Sequence, residues 1–188
     1  MSLERMHPAL KEQFCVQLYE NYIVESSLKL LIYEEYAYTI HAKMPVSCYT
    51  NFRDALFHFR KVVSSMEENE IERQAFAVKE HLSRALTDAG SSILYHLSSV
   101  AEALLEDKEI DSNIIDQIRK CLHNLKNANL RKRFSGMMIS SDETTNISHD
   151  EIIELIDGFY QLVNATCANE FAKYSNELCL SVQDEQDK

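Results

Sequence analysis

Three glycines and two prolines in 188 residues leave this chain almost no means of turning sharply. Tight turns rely on glycine for left-handed backbone angles and on proline for a fixed φ. An all-β fold needs such turns every few residues, so this composition excludes one and demands a few long helices. The apolar share of 45 % is ordinary for a globular chain. The length suits one domain with a sizeable core.

Apolar spacing then divides the chain. The first segment, Pro8 to Lys43, has no glycine and no internal proline. Pro8 suits a first helical turn, and Leu10, Phe14, Leu18, Val24, Leu28, Leu31 and Ile32 are placed for one broad buried face. Pro45 closes the segment, because the residue before a proline avoids helical angles. A second helix is expected from a cap among Ser47, Thr50 and Asn51 to near Met66, with Phe52, Leu56, Phe59 and Val63 as its buried stripe. A third runs from near Glu70 to Glu106, lined by Phe76, Leu82, Leu86, Ile93, Leu97, Val100 and Leu104. Gly90, Ser91 and Ser92 in its middle allow a kink or a close neighbour.

A fourth helix is expected from a cap at Ser112 or Asn113 to near Phe134. Residues 136–148 then read as a flexible loop. Ser148 and Glu151 make a capping box for the fifth helix, which runs to near Cys179 through Ile152, Ile156, Phe159, Val163 and Phe171. Residues 182–188 read as a frayed polar tail. The expectation is an all-α, antiparallel bundle of about five helices, several very long, in a single domain over 1–188. Helices of that length project beyond one core, and a homodimer is expected.

No apolar run approaches the roughly 18 residues that cross a bilayer, so no membrane contact is expected. The N-terminus carries Glu4, Arg5 and His7 and no apolar signal segment. Five scattered cysteines without a C-x-x-C pair are the usage of a reducing compartment. The expected location is the cytoplasm. No Cys/His set has zinc spacing, and the two Glu-x-x-His motifs that a di-iron bundle needs are not present. Gly-rich phosphate loops and nucleophile elbows are missing too, so neither metal nor cofactor is expected. A net charge of −11 repels polyanions, and any nucleic-acid contact needs a local patch.

One stretch carries chemistry: Arg53-Asp54-Ala55-Leu56-Phe57-His58. On a helix, Asp54 and His58 are four apart and face the same way. The carboxylate can bond one imidazole nitrogen and fix the tautomer. Arg53 lies near the expected helix start, where backbone N–H groups also favour an anion. Imidazole beside guanidinium is a minimal kit for cutting RNA without metal. The histidine moves the proton of the 2′-hydroxyl or of the leaving oxygen, and the arginine stabilises the charged phosphorane. The same three residues also suit a polar network on the rim of the buried stripe.

The run resembles the signature of the HEPN superfamily, an Arg, then Asn, Asp or His, then three residues and a His. The segment from Lys79 through Glu80-His81-Leu82-Ser83-Arg84 to Ala89 is similar to a second helix that accompanies such motifs in bacterial helical proteins. The likeness covers residues 48–90. It implies a small helical bundle, often dimeric, with two motifs meeting across the dimer. Many such proteins are metal-independent ribonucleases of toxin–antitoxin or antiviral defence systems, and many relatives are not catalytic. By this resemblance Arg53 binds phosphate, His58 is the acid/base and Asp54 orients it.

Two further groups are candidates. His81 and Arg84, with Asp88 one turn on, either complete a polar site with Arg53 and His58 or form an exposed face of i, i+4 pairs. Arg119, Lys120, Lys126, Arg131, Lys132 and Arg133 form a run without an acid, a candidate polyanion patch. The last three also suit a helix C-terminus, where cations are favoured. The two functional readings are an RNA- or nucleotide-acting HEPN-like protein and a non-catalytic helical protein that works through self-association or a protein partner.

Overall fold

The computed structural model describes residues 5–137 and 147–186, with side chains described over 5–128 and 147–180. It is an all-α bundle. α1 (Pro8–Leu18), a π-helical turn (Tyr19–Val24) and α2 (Glu25–Thr39) follow one another without a break. α3 (Val46–Ser64), α4 (Glu68–Glu106), α5 (Ser112–Met137), α6 (His149–Thr166) and α7 (Ala168–Gln186) complete it. That makes six separate rods among the described residues, where the spacing predicts about five. No strand occurs among them, only a bridge between Arg5 and Glu67. No helix among them is long and apolar enough to cross a membrane.

The extra rod comes from a break at Cys167, whose backbone leaves helical angles at φ −149° and ψ 48°. Its N–H still bonds the Val163 carbonyl at 2.8 Å, and Thr166 Oγ1 donates to the Leu162 carbonyl at 2.7 Å. A threonine bonded back in this way bends its helix. Past the break Phe171 packs edge-on against Phe159, ring centres 6.3 Å apart. The last helix then runs on to Gln186, through most of the span that composition predicts to fray.

The first rod also departs from its expected face. A π turn admits one extra residue and rotates the downstream helix by about 100°. Beyond it Ile23, Ser26, Tyr33, Ala37 and Ile40 are buried, while Val24, Leu28, Leu31 and Ile32 are exposed. The rod stops at Thr39, short of Lys43, in a Schellman cap. His41 N–H bonds the Tyr38 carbonyl at 3.3 Å and Ala42 N–H that of Ala37 at 2.8 Å. His41 takes φ 56° there, in the left-handed region that usually draws a glycine.

The described residues divide into two compact units, 5–32 with 45–89, and 33–44 with 90–137 and 147–186. In the first, Leu18, Ile23, Ala55, Val62, Ile71, Ala75, Val78 and Leu82 form one apolar cluster. Phe14, Phe52 and Phe59 pack half-buried against it. α3 starts at Val46 behind Pro45, so Ser47, Thr50 and Asn51 lie inside the helix and not at its cap. Its buried line is Cys48, Ala55 and Val62. Leu56 and Val63 point outward, as does Phe76 on α4, against the expected stripes.

The second unit is built around Tyr33 of α2, which is fully buried. Its hydroxyl contacts His149 Nδ1 at 3.0 Å, and Tyr36 donates to Asp157 at 3.0 Å. Burial first, then the bond to Asp157, push the Tyr36 phenol up to about 12, so it stays a donor. α4 passes Gly90 without a break. A side chain at Gly90 would lie 3.1 Å from Tyr33 Oη, so the glycine serves close approach. The capping box forms as read, with Ser148 N–H to Glu151 at 2.7 Å and Glu151 N–H to Ser148 at 3.1 Å. At the start of α5 it is Asp111 that caps, accepting from Asn113 N–H at 2.8 Å, in place of Ser112 or Asn113.

One polar triad lies inside this unit. Ser175 Oγ donates to the Ile40 carbonyl, so it accepts from His96 Nε2 at 2.9 Å. Burial, against the pull of the Ile40 carbonyl, holds the His96 imidazole below its ordinary range, and His41 adds to the lowering. A neutral ring favoured in the fold contributes stability above the unfolded value near pH 6.5 and loses it as pH falls through the lower folded value. The denaturation midpoint should therefore fall on acidification below about pH 6.5, and less steeply in His96→Gln; equal slopes would show that His96 is not the group. On α3, Val62→Ala should cost about 2 kcal/mol and Val63→Ala under about 0.5 kcal/mol. Equal midpoints for the two variants would contradict the register of the helix.

Candidate functional site

α3 and α4 meet in the first unit, and two histidines lie between them. His58 of α3 and His81 of α4 stack nearly parallel, ring centres 5.2 Å apart and planes 15° off. Each ring bonds an amide of the opposite helix. His58 Nδ1 is 2.5 Å from Gln74 Oε1, and His81 Nδ1 is 3.1 Å from Asn51 Oδ1. The exchange is reciprocal. Gln74 lies seven residues before His81, and Asn51 seven before His58, so the early part of each helix meets the late part of the other. That is antiparallel packing with like spacing on both sides.

The tautomers follow from the outer partners. Gln74 Nε2 donates to Glu70 at 2.8 Å. Hydrogen bonds from Arg73 and then from Gln74 hold the Glu70 carboxyl below the usual carboxylate range, so it is charged and only accepts. The Gln74 amide must then turn its oxygen to His58, and His58 Nδ1 must carry the proton. Asn51 Nδ2 likewise donates to Asp88 at 3.4 Å, turns its oxygen to His81 and makes Nδ1 of that ring the donor. Each neutral ring keeps a bare Nε2. No buried side-chain nitrogen or oxygen among the described residues lacks a partner, so neither Nε2 is fully sealed from solvent.

The expected site residues divide accordingly. His58 and His81 come together. Asp54 does not orient His58, because its carboxylate holds Arg53 at 3.0 and 3.2 Å and Gln74 takes the ring. Arg53 touches neither histidine and is 74 % exposed, so its ion pair is weak and open to exchange. Arg84 pairs with Glu80 on its own helix. Phe57 stands edge-on to His58 at 5.8 Å, with Lys61 Nζ 4.5 Å over its ring.

The basic run is partly neutralised. Arg119 pairs with Asp116 at 2.6 Å and Lys126 with Glu102, an acid of α4 that the local sequence does not reveal. Lys120 is exposed. The side chains of Arg131, Lys132 and Arg133 lie outside the described residues. No group of three or more His, Cys, Asp or Glu among the described residues is placed to hold a metal ion.

Asn51 and Gln74 are the residues of this candidate site that motif reading misses. A neutral amide attracts no attention in a sequence. The available signal is the repeated seven-residue step from amide to histidine on both helices. Gln74 is only 5 % exposed, and its loss orphans a partly buried donor, His58 Nδ1. Gln74→Leu should lower stability by about 1–3 kcal/mol, while Asp54→Asn stays within about 1 kcal/mol; thermal unfolding that ranks Asp54→Asn as the worse would contradict the bonding described. The chain matches no protein-family model, no curated protein and no solved structure.

Proposed function

We propose that the chain is a HEPN-like helical protein that acts on RNA at the Arg53/His58 corner, as a metal-independent endoribonuclease of a toxin–antitoxin or antiviral defence system. The observation that carries this reading is the state of His58. Its Nδ1 is fixed by Gln74, its ring is held against His81, and its Nε2 has no protein partner and is not fully sealed from solvent. A general base must be positioned and must have a free lone pair at the surface, and His58 meets both needs. Arg53 supplies the cation. An exposed pair with Asp54 holds it loosely enough to turn to a phosphate, and Asp54 serves as its resting partner.

A second reading, self-association without turnover, is supported by the first rod. Val24, Leu28 and Leu31 recur at helical spacing and are all exposed, Leu28 and Leu31 by more than half. An outward apolar stripe of that kind suits a homodimer or a protein partner.

The test is cleavage of a mixed pool of structured and unstructured RNA in EDTA. The wild-type chain should cut, His58→Ala should fold and lose at least about a hundredfold in rate, and Arg53→Ala should lose a comparable factor. No cutting by the wild-type chain, with a stable dimer by light scattering, would replace the first reading with the second.

A further inference from the structure

The pairing of the two histidines goes beyond a single acid/base. Their rings lie face to face, and both Nδ1 atoms are occupied by amide oxygens. An imidazolium is an acid and a neutral imidazole is a base, so two rings side by side can supply both roles to one substrate.

The outer carboxylates matter by their distance from the rings. A carboxylate in direct contact favours the charged imidazole. Here Glu70 reaches His58 through Gln74, and Asp88 reaches His81 through Asn51. The amide between them fixes the tautomer. The other charged groups nearby are engaged elsewhere. On α3 Arg53 holds Asp54 and Lys61 lies over Phe57. On α4 Arg84 holds Glu80, and Lys79 lies 4.3 Å over Tyr22 of the π turn.

We infer that His58 and His81 act as one acid–base pair on a phosphodiester, and that Gln74 and Asn51 are the positioning residues that decide which nitrogen each ring presents. This rests on the reading of the same corner as an RNA site. In the step, the neutral Nε2 takes the proton of the ribose 2′-hydroxyl, and that oxygen forms a bond to phosphorus. The bond from phosphorus to the 5′-oxygen breaks, and the leaving oxygen takes the proton from the imidazolium Nε2. The products are a 2′,3′-cyclic phosphate and a 5′-hydroxyl. The pair ends with one proton, moved from one ring to the other, and no further reactant is consumed.

Nitrogen NMR of the full-length labelled protein reads the rings without any substrate. Both neutral rings should carry hydrogen on Nδ1. Gln74→Leu should release His58 alone from that state, and Asn51→Leu His81 alone. Hydrogen on Nε2 of either wild-type ring would overturn the positioning roles. In parallel, the rate of RNA cleavage against pH should be bell-shaped. His81→Ala should lower the rate about a hundredfold and remove one limb, and Gln74→Glu, which sets a carboxylate against the ring, should move the profile to higher pH. A wild-type protein that cuts while His81→Ala keeps the full rate and both limbs would overturn the pair and leave the RNA reading standing. A wild-type protein that cuts no RNA would sink that reading and the pair's chemistry with it, whichever tautomers the rings show.

Discussion

Long helices without sharp turns have a register problem, and hydrogen bonds wholly or partly buried between them solve it here. An apolar face slides past another by one turn and still finds apolar neighbours. A buried amide bonded to an imidazole loses its partner at once, at a cost of about 1–3 kcal/mol per orphaned group. The reciprocal bonds of His58 with Gln74 and His81 with Asn51 therefore fix α3 against α4. The second unit uses the same device in Tyr33 with His149, Tyr36 with Asp157, and the His96–Ser175–Ile40 triad. The polar contacts supply specificity, and the apolar clusters around them supply most of the stability.

Candidate site and scaffold are thus one object in the first unit. The bonds that hold α3 and α4 in register are the bonds that set the histidine tautomers. A variant that disturbs Gln74 acts on both, which is why a readout of ring chemistry separates the roles and a readout of stability does not. Arg53 stands apart from this arrangement, exposed and held only by its neighbour Asp54.

The helical class is plain from the scarcity of glycine and proline, and so are the span of α4 and the capping box at Ser148, because each has a local cause. The features that stay hidden have tertiary causes. The Schellman cap falls on His41, which carries no signal that a glycine would give. The break at Cys167 has no glycine or proline to announce it; Thr166 bonds back to the Leu162 carbonyl there, and Phe171 packs on Phe159 beyond it. The face of α3 escapes a reading by bulk, because small residues, Cys48 and Ala55, take the inside and large ones, Leu56 and Phe57, the outside. The meeting of His58 and His81 is within reach of motif reading. The choice of Gln74 over Asp54 as the partner of His58 is not, since it depends on the other helix.

The π turn makes the first rod a place where chain length converts into rotation. Between Tyr19 and Val24 the backbone holds one residue more than an ordinary helix would. Dropping one residue there leaves a continuous helix and swings Pro8–Leu18 about 100° around its axis. Phe14 and Leu18, which now pack against or within the apolar cluster of the first unit, would turn away from it, and other side chains of α1 would take their place. In most proteins a change of length is absorbed by a loop and leaves the core alone. In a chain with so few turns it is absorbed inside a helix, and the core is what changes.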